Sequence, residues 1–361
     1  MSARSRKGDT AMISREKLIE LLEERSPARV RALLDTADRT RAYAVGESVH
    51  LRALIEISNV CRRNCLYCGL RAANRHLPRY RMTDREIVDA VVSAAARGRR
   101  TVALQSGEDS ALTAPRVARM IRRIKDAADV AVTLSLGEYP RDDYFQMREA
   151  GADRYLLKHE TVDPDLYKSL HPGMSFERRI RCLVWLKEAG FQAGSGMMVG
   201  LPGQSAATLA DDIVFLRRLD ADMVGIGPFI PHPHTPLKHS PPGGADLCLK
   251  AIALARLALP FAHIPATTAL ATLCPNGTER ALKAGADVIM PLATPEKYRR
   301  LYEIYPDRAP SSDTGPDSVI ELVRRLGRTV SSDYGHTAPR LNILAPFDIS
   351  SYKRALQRCP L

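Results

Sequence analysis

The chain has 361 residues, 45% of them hydrophobic, and a formal net charge of +12. Such a length supports a large core within one barrel-sized domain, and seven cysteines, an odd number at low density, argue against a secreted disulfide scaffold. No apolar run is long enough to span a bilayer, no apolar signal core follows Met1, and the scattered arginines lack aromatic interleaving; the expectation is a cytoplasmic protein that binds neither membrane nor nucleic acid.

Residues 1–50 read as a basic tail followed by one or two amphipathic helices between Ile13 and Leu34. Short apolar runs then alternate with helical patterns through residues 51–305. The expected strands are Ala53–Ser58, Thr101–Ser106, Val130–Ser135, Arg154–Lys158, Gln192–Val199, Met223–Phe229, Ile264–Ala269 and Val288–Met290. Among the helices between them, Thr83–Gly98 opens with a Thr-x-x-Glu capping box. Ser175–Gly190 and Ser205–Asp220 likewise open on serine. This alternation predicts an α/β fold with parallel strands, a (β/α)8 TIM-type barrel; the last strand has the weakest signal, and a partly open barrel is the alternative. Residues 306–361 form an extension, rich in Pro, Ser and Asp, with a short helix at Ser318–Leu326 expected to pack on the barrel.

Three cysteines, Cys61, Cys65 and Cys68, follow the first strand with the spacing C-x3-C-x2-C in "SNVCRRNCLYCGL". In a barrel the chemistry sits at this strand end. Two metal readings fit: zinc with a further ligand such as His76, or a 4Fe–4S cluster with three thiolates and one iron left open. Cys182 falls on an apolar helix face and reads as a core thiol, and His232 and His234 in "PHPHT" as loop-capping groups.

With Tyr67 before the last cysteine, the motif resembles that of the radical S-adenosylmethionine (SAM) superfamily. The resemblance implies that the open iron chelates SAM and that reductive cleavage yields a 5′-deoxyadenosyl radical. It also implies SAM contacts. Ser106, Gly107 and Glu108 stand where relatives carry a Gly-Gly-Glu-like turn. Ser135 ends the third strand, Glu160 the fourth, and Arg179 is placed to pair with the SAM carboxylate. Four glycines in Gly194–Gln204, Gly200 among them, are expected to let backbone approach a ligand.

"SNVCRRNCLYCGLRAANRHLPRYRMT", "LQSGED", "AGADRYLLKHET", "MVGLPGQ", "MVGIGPFIPHPHTPL" and "IPATTA", in this order, resemble the HydE family, radical SAM maturases of FeFe-hydrogenase. That likeness implies one 4Fe–4S cluster, SAM, and a cysteine-bound Fe(CO)2(CN) complex as substrate. It also implies a flavodoxin- or ferredoxin-type electron donor and the maturases HydG and HydF as partners. Arg154 and Lys158, four residues apart on one strand, are expected to hold the anionic complex together. Thr267, Thr268, Met290 and Tyr305 complete that expected site. Members that carry a second cluster have extra C-terminal cysteines; here only Cys359 follows Tyr305, so one cluster is expected. The alternatives are a related enzyme such as methylornithine synthase, or a non-catalytic iron–sulfur scaffold or carrier.

Overall fold

The computed structural model describes residues 13–309 and 318–337; Cys359 lies outside them. The described residues form eight strands: β1 (Ser48–Ser58), β2 (Thr101–Ser106), β3 (Ala131–Ser135), β4 (Arg154–Leu156), β5 (Gln192–Val199), β6 (Met223–Pro228), β7 (Val288–Ile289) and β8 (Thr329–Val330). Regular parallel ladders run in the order β6-β5-β4-β3-β2-β1-β7. β8 lies beside β1 at its N-terminal end. β1 is buried along nearly its whole length, as a parallel strand covered on both faces should be.

The fold is the expected (β/α)8 type, with one strand reduced. The run Ile264–Ala269, expected as a strand, makes one isolated bridge, Pro265 to Val288, and His263 just before it bridges to Met223, so that the two together link β6 to β7. Pro265 has no N–H for a ladder, and Thr267 already caps the helix Thr268–Leu273. The seventh barrel position is therefore a crossing point of backbone rather than a ladder.

Helices cover the outside of the sheet. Asp84–Ala96 carries the complete capping box between Thr83 and Glu86, and buries Ile87, Ala90, Val91 and Ala94 at helical spacing. Phe176–Glu188 and Ala206–Arg218 start on Ser175 and Ser205, whose hydroxyls accept from the third residue onward. The N-terminal helices Arg15–Glu23 and Pro27–Val45 dock on the outer layer: Leu18 and Leu22 are buried, and Arg15 pairs with Asp211 at 2.6 Å. Among the described residues no helix is long and apolar enough to cross a membrane.

The two ends of the barrel differ. Residues 334–337 plug the N-terminal end, where the guanidinium of Arg52 donates to the Gly335 carbonyl and Thr337 N–H donates to Gln192 Oε1. The C-terminal end opens into a cavity of about 360 Å³.

Candidate active site

Cys61, Cys65 and Cys68 lie on the irregular loop after β1 and line that cavity. The loop is tied down from several directions. Leu66 N–H donates to Leu170 O, and Gly69 N–H to Ile304 O. One guanidinium, Arg79, donates to the carbonyls of Asn59, Leu70, Arg71 and Asn74. Gly107 is required by close approach: a Cβ there would stand 2.4 Å from Val60 O and 2.6 Å from Cys61 Cβ.

The donor set fits a cluster better than a single zinc ion. A tetrahedral zinc with Zn–S bonds of about 2.3 Å would gather its sulfurs to roughly 3.8 Å of one another. Among the described residues only His50, His263 and Asp287 are close enough to share one ion; the three cysteine sulfurs are spread wider. His76, the candidate fourth zinc ligand, stacks on His234. The His50–His263–Asp287 group is itself an internal network at the plugged end, its carboxylate held by Arg256 at 2.8 Å and His263 at 2.6 Å. Burial pushes the Cys65 thiol up to about 12 and raises Cys61 and Cys68 as well, so cluster binding must displace their protons.

Across the cavity, Glu160 adopts a left-handed backbone, φ 65°, costly for a side chain with a Cβ. The chain holds it there. Glu160 N–H donates to Gly196 O at 3.0 Å, and its carbonyl accepts from Met198 N–H. Ser195 Oγ lies 2.9 Å from His159 Nδ1, and Asp212 Oδ1 accepts from Val162 N–H at 2.6 Å. Glu160 Oε2 is buried with no protein partner, an orphaned acceptor of the kind that marks a ligand position. The cysteine loop, Gly107 and this carboxylate together suit a cluster with SAM bound beside it.

Several of the expected residues also have internal partners. Arg179 lines the cavity, pairs with Glu138 at 2.7 Å, and donates from its other branch to the Lys158 carbonyl. The reason is position: Glu138, just beyond β3, faces the start of the helix that carries Arg179. The Glu108 side chain is taken by Arg63 at 2.5 Å and by Glu138 N–H at 3.2 Å. That leaves the turn's backbone, with Ser106 and Gly107, facing the cavity, which Ser135 also lines. Tyr67 lines it too, its hydroxyl 2.8 Å from His171 Nε2. Burial lowers His171 to about 3, so it is neutral and can accept from Tyr67. Glu138, Arg63 and His171 were not among the expected site residues; Glu138 had a signal, a carboxylate at a strand end in "LGEYP".

Gly200 is a correction. Its Cβ would meet Gly243 Cα at 2.3 Å, its φ is +86°, and its N–H goes to Gln204 Oε1 at 2.7 Å. Gly196 likewise faces the Gly225 carbonyl. These glycines let backbone pack on backbone, and no ligand is needed to explain them.

Arg154 is the second correction. It is fully buried at the plugged end, donating to Gln192 Oε1 at 3.1 Å and to the Tyr334 carbonyl, with His336 Nδ1 3.0 Å away. Four residues of strand span about 13 Å, so a shared face does not place Arg154 beside Lys158. Burial, with Arg52 nearby, lowers Arg154 to about 9. We expect Arg154→Met to lower stability by about 1.5–3 kcal/mol through its lost charged hydrogen bonds, while SAM affinity stays at the wild-type value. Denaturant melts paired with SAM titration check both halves.

Lys158 does line the cavity, two residues before Glu160. Its stem packs against Gly225, where a Cβ would come within 3.1 Å of Cε. Among the described residues no carboxylate pairs with its ammonium group. Thr267, Thr268, Met290 and Tyr305 line the same cavity, and the Thr267 hydroxyl is buried without a partner. His232 and His234 sit in the loop that packs on Gly69: His232 Nε2 lies 3.0 Å from Glu303 Oε1, and His232 Nδ1 accepts from His234 N–H. Cys182 is a buried core thiol.

Residues 55–216 match the family described as the Radical SAM superfamily. The [FeFe] hydrogenase maturase subunit HydE of Thermotoga maritima is 50% identical over 325 residues, covering 89% of this chain and 93% of that protein. The chain belongs to the HydE family. It is a radical SAM enzyme, and the cofactors of its family are a 4Fe–4S cluster and SAM. A 3-methylornithine synthase of Methanosarcina acetivorans is 26% identical over 87% of this chain and 89% of its own. The solved structure of methylornithine synthase (PylB) superposes with a TM-score of 0.77 at 24% identity, covering 89% of this chain and 95% of that one, which supports the barrel-type fold. HydE membership agrees with three cysteines lining one cavity at the barrel end.

Proposed function

We propose that this chain acts in maturation of FeFe-hydrogenase, on a cysteine-bound Fe(CO)2(CN) complex, in assembly of the H-cluster. The observation that carries the reading is Lys158, a cation that lines the cavity and has no carboxylate partner among the described residues. An ammonium taken out of water needs a partner, and an anionic complex would supply it. The 50% identity to a HydE adds the class of reaction.

Cys61, Cys65 and Cys68 would hold the cluster, which when bound supplies the single electron that breaks the C5′–S bond of SAM. The chain's residues do the rest. Glu160 accepts from SAM donor groups, and the Ser106–Gly107 backbone lines the wall opposite. Arg179 is locked by Glu138 and steadies the Lys158–Glu160 segment through the Lys158 carbonyl. Below SAM, Lys158 sets the orientation of the anion, with Thr267 and Thr268 hydroxyls as donors. Met290 and the Tyr302 and Tyr305 rings exclude water from that depth. The electron would come from a flavodoxin- or ferredoxin-type donor, the setting would be the cytoplasm, and HydG and HydF would be the working partners.

The test is anaerobic turnover of the reconstituted protein with SAM, dithionite and either the synthetic iron complex or lysine. The complex should stimulate 5′-deoxyadenosine formation and be consumed, and lysine should do neither. Methylornithine as product would overturn the reading in favour of the related synthase.

A further inference from the structure

Beside the inner cavity lies a second, outer pocket of about 320 Å³. The two share five lining residues, Thr268, Met290, Tyr302, Tyr305 and Arg308, so they are neighbours across one thin wall. Arg308 is the charged member of that wall. Its guanidinium pairs with Glu56, an inward-facing β1 residue that is fully buried. Thr294 Oγ1 donates to the other carboxylate oxygen at 3.3 Å. Further out, Arg299 and Arg300 line the outer pocket, and both are exposed.

We infer that the outer pocket is an entry vestibule for the anionic substrate, which passes Arg308 into the inner cavity by a route separate from the mouth beside the cluster. This inference rests on the substrate reading above. Its first support is layering. The strands run toward the mouth, and Lys158 precedes Glu160 on its strand end, so the anion site lies deeper than the SAM site. SAM held between the cysteine loop and Glu160 stands between Lys158 and the mouth. A substrate that enters only from the mouth would have to precede SAM on every turnover, and its product would have to wait for SAM fragments to leave.

The second support is charge. Arg299 and Arg300 face the outer pocket and Arg308 faces both spaces, so an anion meets cations from the surface to Lys158. Arg308 is held by an ion pair rather than by packing alone. An anion arriving in the vestibule competes with Glu56 for the guanidinium, and the swing of that one side chain widens the passage. Glu303 and Asp307 also line the outer pocket, and Glu303 is held by His232.

The experiment follows uptake of the synthetic cysteine-bound Fe(CO)2(CN) complex, read by its CO and CN infrared bands, on cluster-loaded protein without reductant. Uptake is timed with and without prebound SAM. Wild type should take up the complex at similar rates in both states. Ala309→Trp fills the outer pocket and Arg300→Glu reverses its rim charge. Each should slow uptake at least tenfold when SAM is bound and far less when SAM is absent, because the mouth is then free. Cluster content and SAM affinity of both variants should match wild type, which separates a blocked route from a damaged fold. Prebound SAM that halts uptake in wild type would overturn the vestibule, as would variants that match wild type with SAM bound. No uptake by wild type in either state would overturn the substrate reading, and the vestibule with it.

Discussion

Cys65→Ser should leave the barrel folded and abolish SAM cleavage. Cys65 is the middle of the three thiols, and burial makes its proton hard to remove without metal. A serine hydroxyl at that position is a far poorer ligand for iron. Because each thiolate serves one corner of the cluster, two thiols hold it too weakly to survive reduction. The loop should keep its shape, since Arg79, Leu66 and Gly69 anchor it through backbone groups. Iron in the reconstituted protein should fall from about four per chain to near zero, with the visible cluster absorption lost and thermal unfolding of the apoprotein unchanged. Cys359→Ala should retain the full iron complement. Close to eight irons in wild type, falling in that variant, would contradict the single cluster.

Lys158→Met should separate SAM chemistry from substrate chemistry. Methionine keeps the bulk that packs against Gly225 and removes the charge. The proposed SAM contacts lie on Glu160 and the strand-end backbone, so SAM affinity and slow abortive formation of 5′-deoxyadenosine should persist. Affinity for the anionic iron complex should fall by about tenfold to a hundredfold, the loss of one charge-assisted contact of about 1.5–3 kcal/mol. Lys158→Arg should recover part of that affinity. Equal binding of the complex by wild type and Lys158→Met would mean that the ammonium has another task.

The barrel was legible in the sequence because its strands are short apolar runs punctuated by capped helices. β2 and β5 run over the residues expected, and the capping box at Thr83 and Glu86 forms as read. The Ile264–Ala269 segment misled because its composition suits a strand while Pro265 and the cap at Thr267 forbid one. The cysteine loop was legible because its three thiols fall within eight residues, directly after an apolar strand.

Side-chain partners were harder to read, since they depend on height along the barrel axis as well as on facing. Strand periodicity puts Arg154 and Lys158 on one face, and only the folded chain shows that residues 334–336 claim the first and leave the second free. Arg179 was recognised as a cation near the mouth, but its acid is Glu138, 41 residues away. Gly196 and Gly200 show the same limit. A close approach was expected, and the approaching group is neighbouring backbone, at Gly225 and Gly243.

The measurement that bears most directly on the whole account is activation of apo-hydrogenase in a reconstituted maturation system from which HydE has been withheld. Adding this chain, cluster-loaded and supplied with SAM, should restore hydrogen evolution, and Lys158→Met should restore little of it. A wild-type chain that cleaves SAM but leaves the hydrogenase inactive, with all other components shown to be competent, would contradict the assignment.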